Sequence, residues 1–167
     1  MLKKHRILST PNANGFTLLE VLIALVIFSI GLLGLAGMQM QGLKYNHESY
    51  LRSQATLLAY DLLDRMRSNS TASASYVVND AAATTTPPTN CAGNSASCST
   101  ADFATFDIHE WKTAIANTLP KGKGKVDADT VNTSPQNYII TITWAIGDRD
   151  SENNPDDKAT FLLRTAP

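Results

Sequence analysis

This sequence is short of charge, of cysteine and of any surplus of one sign. Only 17% of its 167 residues are charged, and 14 Lys and Arg face 15 Asp and Glu, for a net charge of −1. A dedicated nucleic-acid binder carries a basic excess, so a nucleic-acid partner is not expected. A hydrophobic fraction of 43% is too high for a disordered chain and fits a globular or membrane-attached one. No nucleophile elbow, phosphate-cradling glycine loop or metal-ligand cluster occurs, so the residues of an enzyme, and of a cofactor site, are missing. The length suits one modest domain.

The near-zero balance hides an asymmetry. Lys3, Lys4 and Arg6 lie in the first six residues, beside His5. From Val21 to Leu43 the chain then carries no charge at all. As a helix rising ~1.5 Å per residue this run reaches about 35 Å, enough to cross a hydrocarbon layer of roughly 30 Å. The basic cluster before it places residues 1–15 in the cytoplasm and the bulk of the chain across the membrane. A secretory signal peptide would be shorter and end in a small-residue cleavage site. A plain membrane anchor explains the run and its flanks but not Glu20 at its head. A carboxylate pushed toward the bilayer centre costs on the order of 2–3 kcal/mol, so Glu20 needs a partner or a headgroup-level position in the first helical turn. Cutting between Gly15 and Phe16 would supply the partner, because the new α-amine on Phe16 of one molecule can neutralise Glu20 of another.

A short basic leader ending in Gly15, then Phe16-Thr17-Leu18-Leu19-Glu20 and an apolar run, resembles the class III signal of type IV prepilins and pseudopilins. The resemblance implies cleavage after Gly15 by prepilin peptidase, N-methylation of Phe16 and a role for Glu20 in subunit recruitment. It also implies an α+β, type IV pilin-like fold: a long N-terminal helix packed on a small antiparallel sheet, with a second short helix.

The residues beyond the run agree with that outline. No Gly or Pro falls between Leu43 and Thr86, and Leu51, Ala55, Leu58, Leu62 and Met66 recur at helical spacing. One helix from about Thr17 to about Ser68 is expected, apolar all round in its first half and amphipathic in its second. Gly31, Gly34, Gly37 and Gly42 each cost it about 1 kcal/mol relative to Ala. They suit close helix packing or a segment that loses helical structure in a filament. The boundaries expected are a leader at 1–15, a membrane or filament-core segment at 16–43, an amphipathic segment at 44–68 and a periplasmic head at 69–167. Within the head, a polar loop spans 69–101, in which Tyr76, Val77 and Val78 form a short strand or a contact with the head, a helix spans 102–119 and a sheet 125–166.

Cys91 and Cys98 are the only cysteines. An oxidising compartment favours a structural disulfide between them, worth roughly 2–3 kcal/mol for so short a loop, over free thiols or metal binding. Asp102 or Asp107 is expected to cap the helix, with Glu110 completing a box after Asp107, Ile108, Trp111, Ile115 and Leu119 forming its stripe, and Pro120 ending it. His109 with Glu110 reads as a solvent-side pair. Lys121 to Lys125, with alternating glycines, reads as a solvated basic turn. Tyr138, Ile140, Ile142 and Trp144 alternate as a strand, and Val126–Val131 and Thr160–Arg164 are weaker strands. Asp148, Asp150, Glu152, Asp156 and Asp157 crowd one loop, whose spacing misses a calcium-binding pattern, so a hydrated hairpin is expected.

The run from Asp102 through Trp111 to Pro120, the basic turn and Tyr-x-Ile-x-Ile-x-Trp are similar to PilV-type minor pilins of type IV pili. That resemblance implies a non-enzymatic assembly subunit contributing to pilus biogenesis, adhesion or twitching motility. Its implied partners are prepilin peptidase, other minor pilins, the major pilin, the inner-membrane pilus assembly platform and, before assembly, membrane lipid. The subunit is then expected in the inner membrane with its head in the periplasm, and afterwards in the pilus at the cell surface. A minor pseudopilin of a type II secretion system, or a membrane-anchored binding protein with no filament role, are the alternatives.

Overall fold

The computed structural model describes residues 15–80, 89–93, 97–133, 136–146 and 158–167. The expected acidic loop and nearly all of the basic leader lie outside these residues. The first helix, α1, spans Leu18–Ser68. The chain divides into two compact units, one ending at Lys44 and one spanning Tyr45–Pro167.

In the first unit α1 is apolar on every side and every described side chain is exposed. It is long and apolar enough to cross a membrane by length and composition. Its start is set by Thr17, whose Oγ1 accepts the Glu20 backbone N–H at 3.3 Å, so that one orphan donor of the first turn is satisfied. Cβ atoms added at Gly31, Gly34, Gly37 or Gly42 would meet nothing within 4 Å. Nothing among the described residues therefore packs against these glycines.

The second unit holds the core. Here α1 is followed by a 3₁₀ segment at Ser70–Tyr76, by α2 at Thr100–Thr118, and by strands β1 (Lys123–Thr133), β2 (Gln136–Ala145) and β3 (Lys158–Thr165). The sheet is antiparallel, in the order β1-β2-β3. Its registers align Val126, Ile140 and Leu163 in one row and Gly124, Ile142 and Phe161 in the next. Period-2 alternation turns these residues to one face. Leu51, Ala55, Ala59, Leu62, Leu63 and Met66 of α1 pack there with Trp111, Ile115 and Leu119. Burying each large aliphatic side chain is worth about 1.5–3 kcal/mol, and this contact holds the unit together. Trp111 adds a directional tie, donating Nε1–H to the Leu58 carbonyl at 2.9 Å.

Four local expectations are corrected. Helix α2 begins at Thr100, not at 102, because Ser99 is its N-cap: Ser99 Oγ accepts the Asp102 N–H and Asp102 accepts the Ser99 N–H, a reciprocal box. Asp102 therefore caps from the third helical position, and Asp107 lies inside the helix. The loop expected at 69–101 contains the 3₁₀ segment, and Val78 continues it into an antiparallel bridge with Val126. Tyr76, the last residue of the 3₁₀ segment, is fully buried. Finally, the basic stretch is not a free turn, since Lys123–Lys125 opens β1. A Cβ at Gly124 would stand 2.5 Å from Trp111 Cη2 and 2.6 Å from Ile115 Cδ1. Glycine there admits the indole against the sheet.

Gly124→Ala is accordingly expected to cost about 1–3 kcal/mol through overpacking, lowering Tm by several degrees. Gly93→Ala, with open space around it, is expected to leave Tm nearly unchanged. Thermal unfolding followed by circular dichroism compares the two.

Candidate functional site

The residues singled out at the N-terminus lie together at the start of α1. Phe16, Glu20, Val21, Ala24, Leu25 and Phe28 line a shallow groove of about 570 Å³. Phe16 is 84% exposed and precedes the helix. Glu20 stands at the third helical position, where the helix dipole favours an anion. It has no ion-pair partner among the described residues. Gly15 has nothing within 4 Å of where a Cβ would stand. Packing therefore gives no reason for glycine at that position. The cap by Thr17 has a sequence signal of its own, Thr-x-x-Glu at the head of the apolar run.

In the head, Cys91 and Cys98 are joined in a disulfide. Cys98 immediately precedes the Ser99 cap, so the bridge ties the loop to the first turn of α2. His109 and Glu110 do not act as a pair: Glu110 is exposed, while His109 is half-buried and its Nδ1 has no hydrogen-bond partner among the described residues. Adjacent helical residues point about 100° apart, which separates them. Among the described residues no group of His, Cys, Asp or Glu is placed to hold a metal ion.

The polar groups inside the head bind one another. Tyr76 Oη donates to Asp107 Oδ2 at 2.6 Å, and Arg65 Nη1 donates to Asp107 Oδ1 at 3.1 Å. Arg65 also reaches Asp61 at 3.0 Å, one turn earlier on α1. Asn69 Nδ2 donates to the Thr100 carbonyl at 2.7 Å and, more loosely, to Tyr76 Oη. This network fastens α1, the 3₁₀ segment and α2 together. On the sheet, the β1 irregularity between Ala128 and Thr133 turns Asp129 inward, where Oδ1 accepts the Val131 N–H and Oδ2 meets Arg164 Nε at 3.3 Å. Lys112 is likewise buried, with Nζ on the Asn79 carbonyl at 2.7 Å, and desolvation holds its ammonium below the ordinary lysine range.

Two family models match the chain. One, described as a prokaryotic N-terminal methylation motif, covers residues 10–36 and so includes Gly15, Phe16 and Glu20. The other, described as type IV pilin Tt1218, covers residues 37–109. The matches support the type IV pilin superfamily. Pilins of this family are structural subunits, not enzymes, and their fold of long helix, small antiparallel sheet and second helix is the fold seen here. Neither match reaches the sheet, so the head's β-strands are outside the family evidence. No curated protein and no solved structure matches the chain.

The network gives the second unit a pH signature. Burial first, and the hydrogen bond to Asp107 second, raise the Tyr76 hydroxyl above its ordinary value of 10.0. A group raised in the folded state contributes stability that is complete below its unfolded pKa and is lost as pH climbs beyond it. Stability is thus expected to fall as pH rises above about 10. Tyr76→Phe is expected to be less stable than wild type at neutral pH, with a shallower alkaline decline. Urea unfolding at pH 7 and at successive alkaline values measures both.

Proposed function

We propose that the chain is a minor pilin of a type IV pilus, a subunit made as an inner-membrane precursor with its head in the periplasm. Prepilin peptidase removes residues 1–15 and the new amine of Phe16 is methylated. The mature subunit then enters a filament through its apolar helix. The observation that carries this reading is the methylation-motif match across residues 10–36, falling on a glycine that packs against nothing, and on an exposed Glu20 with no ion pair, among the described residues.

The chemistry is electrostatic. In a bilayer or a filament core Glu20 is costly unless a cation meets it, and the processed Phe16 amine of a neighbouring subunit is a cation at the matching depth. Recruitment then follows from charge neutralisation: a subunit docks where its acid finds an amine. Other minor pilins, the major pilin and the assembly platform are the partners on this reading, with adhesion or twitching motility as the downstream roles.

Mass spectrometry of the protein isolated from cells is expected to show an N-terminus at Phe16 carrying one methyl group. Only unprocessed chain beginning before Gly15 would overturn the reading. Glu20→Ala is expected to leave cleavage and membrane insertion intact while lowering the subunit's amount in sheared surface filaments at least tenfold. Wild-type amounts of the variant in filaments would contradict the pairing.

A further inference from the structure

Within the second unit a cleft of about 520 Å³, a size typical of small-ligand sites, opens beside the first turns of α1 in that unit. Its polar wall is Tyr45, Glu48, Ser49 and Arg52, and its apolar wall includes Trp144 and Ala159. Ser53 and Thr56 also reach it, but their hydroxyls are spent on the Ser49 and Arg52 carbonyls at 3.0 and 2.9 Å.

The charges of the cleft are its unusual feature. Glu48 precedes Arg52 by four residues, the favourable order for an intrahelical ion pair. Yet no ion pair joins them, and neither side chain has another partner among the described residues. Elsewhere in the unit charged groups are engaged: Arg65, further along α1, with Asp61 and Asp107, Lys125 with Asp127, and Arg164 with Asp129. One cleft therefore presents an open carboxylate and an open guanidinium about one helical turn apart, against an indole. That arrangement complements a zwitterion.

Position in the chain narrows the zwitterion. The uncharged run ends at Leu43; Tyr45 and Glu48 follow within two turns, and Arg52 stands one turn beyond Glu48. In a chain anchored through that run they begin in the headgroup layer, which is roughly 5–8 Å deep on each side. Tyrosines are favoured there. Helical side chains lean toward the helix N-terminus, and a long Arg stem extends further, so the guanidinium of Arg52 reaches back toward the lipid. We infer that this cleft binds the headgroup of a phospholipid bearing both a phosphate and a primary ammonium, with the phosphate on Arg52 and the ammonium on Glu48. A primary ammonium offers three N–H donors to the carboxylate, whereas a quaternary one offers none and a glycerol headgroup has no cation. The inference rests on the membrane-anchored reading above.

The test uses the full chain in an uncharged, phosphate-free detergent, with native mass spectrometry reading retained lipid. Phosphatidylethanolamine is expected to be retained at least fivefold better than phosphatidylcholine or phosphatidylglycerol. Glu48→Gln is expected to erase the preference for ethanolamine, and Arg52→Gln to lower retention of all three lipids. Both side chains are solvent-accessible, so circular dichroism and Tm are expected to stay at wild-type values. Equal retention of the three lipids, or wild-type retention by both variants, would overturn the proposal. Soluble phosphoethanolamine binding as tightly as the lipid would overturn the lipid assignment in favour of a free zwitterion. Flotation of the full chain with vesicles separates the two readings: failure to float with any composition removes the anchor and this site together, whereas normal flotation without headgroup preference removes this site alone.

Discussion

The constraint on which everything else depends is that half of one helix has no apolar neighbour among the described residues. Phe16 and the Leu, Val, Ile, Phe and Met side chains of α1 up to Leu43 are all exposed. In water such exposure costs on the order of tens of kcal/mol, more than the 5–15 kcal/mol by which an ordinary domain is stable. An isolated monomer in water is therefore not the working state. The environment must come from outside the chain, either as lipid or as the same segments of sister subunits. Lipid tails and sister helices are both apolar, so one segment suits either environment.

Glu20 gains its meaning from that constraint. On a water-facing helix a carboxylate at the third position is an ordinary first-turn acid beside a threonine cap. Next to a run that must leave water, the same acid becomes a charge in search of a partner. The disulfide, the Ser99–Asp102 box and the Tyr76–Asp107–Arg65 network belong to the opposite regime. They lie in the unit that joins its elements through internal polar contacts and gathers its indole, tyrosine and aliphatic side chains in one core. A head built this way keeps its shape whether the apolar segment sits among lipids or among helices.

How much was legible in the sequence varied with the range of the interaction. The apolar run, the amphipathic continuation through Met66, the alternating strand from Tyr138 to Trp144 and the Cys91–Cys98 pairing are short-period or short-loop signals, and the structure has all of them. The cap of α2 was misplaced because three acids compete within nine residues, and only the backbone conformation at Ser99 selects among the alternatives. Lys121–Lys125 read as a solvated turn because Gly and Lys are loop-rich residues; nothing local says that an indole will lie over Gly124.

The sequence by itself determined the long helix with its apolar and amphipathic halves and the central strand, because hydrophobic period and length act over a few residues. Tertiary structure alone decided which residues meet across distance. Asp107 takes Tyr76 and Arg65 from 31 and 42 positions away, Trp111 reaches the Leu58 carbonyl 53 positions back, and a strand irregularity turns Asp129 toward Arg164. Such pairings depend on how the sheet and helices dock. Docking is set by the shape of the whole core, which no local pattern of residues encodes.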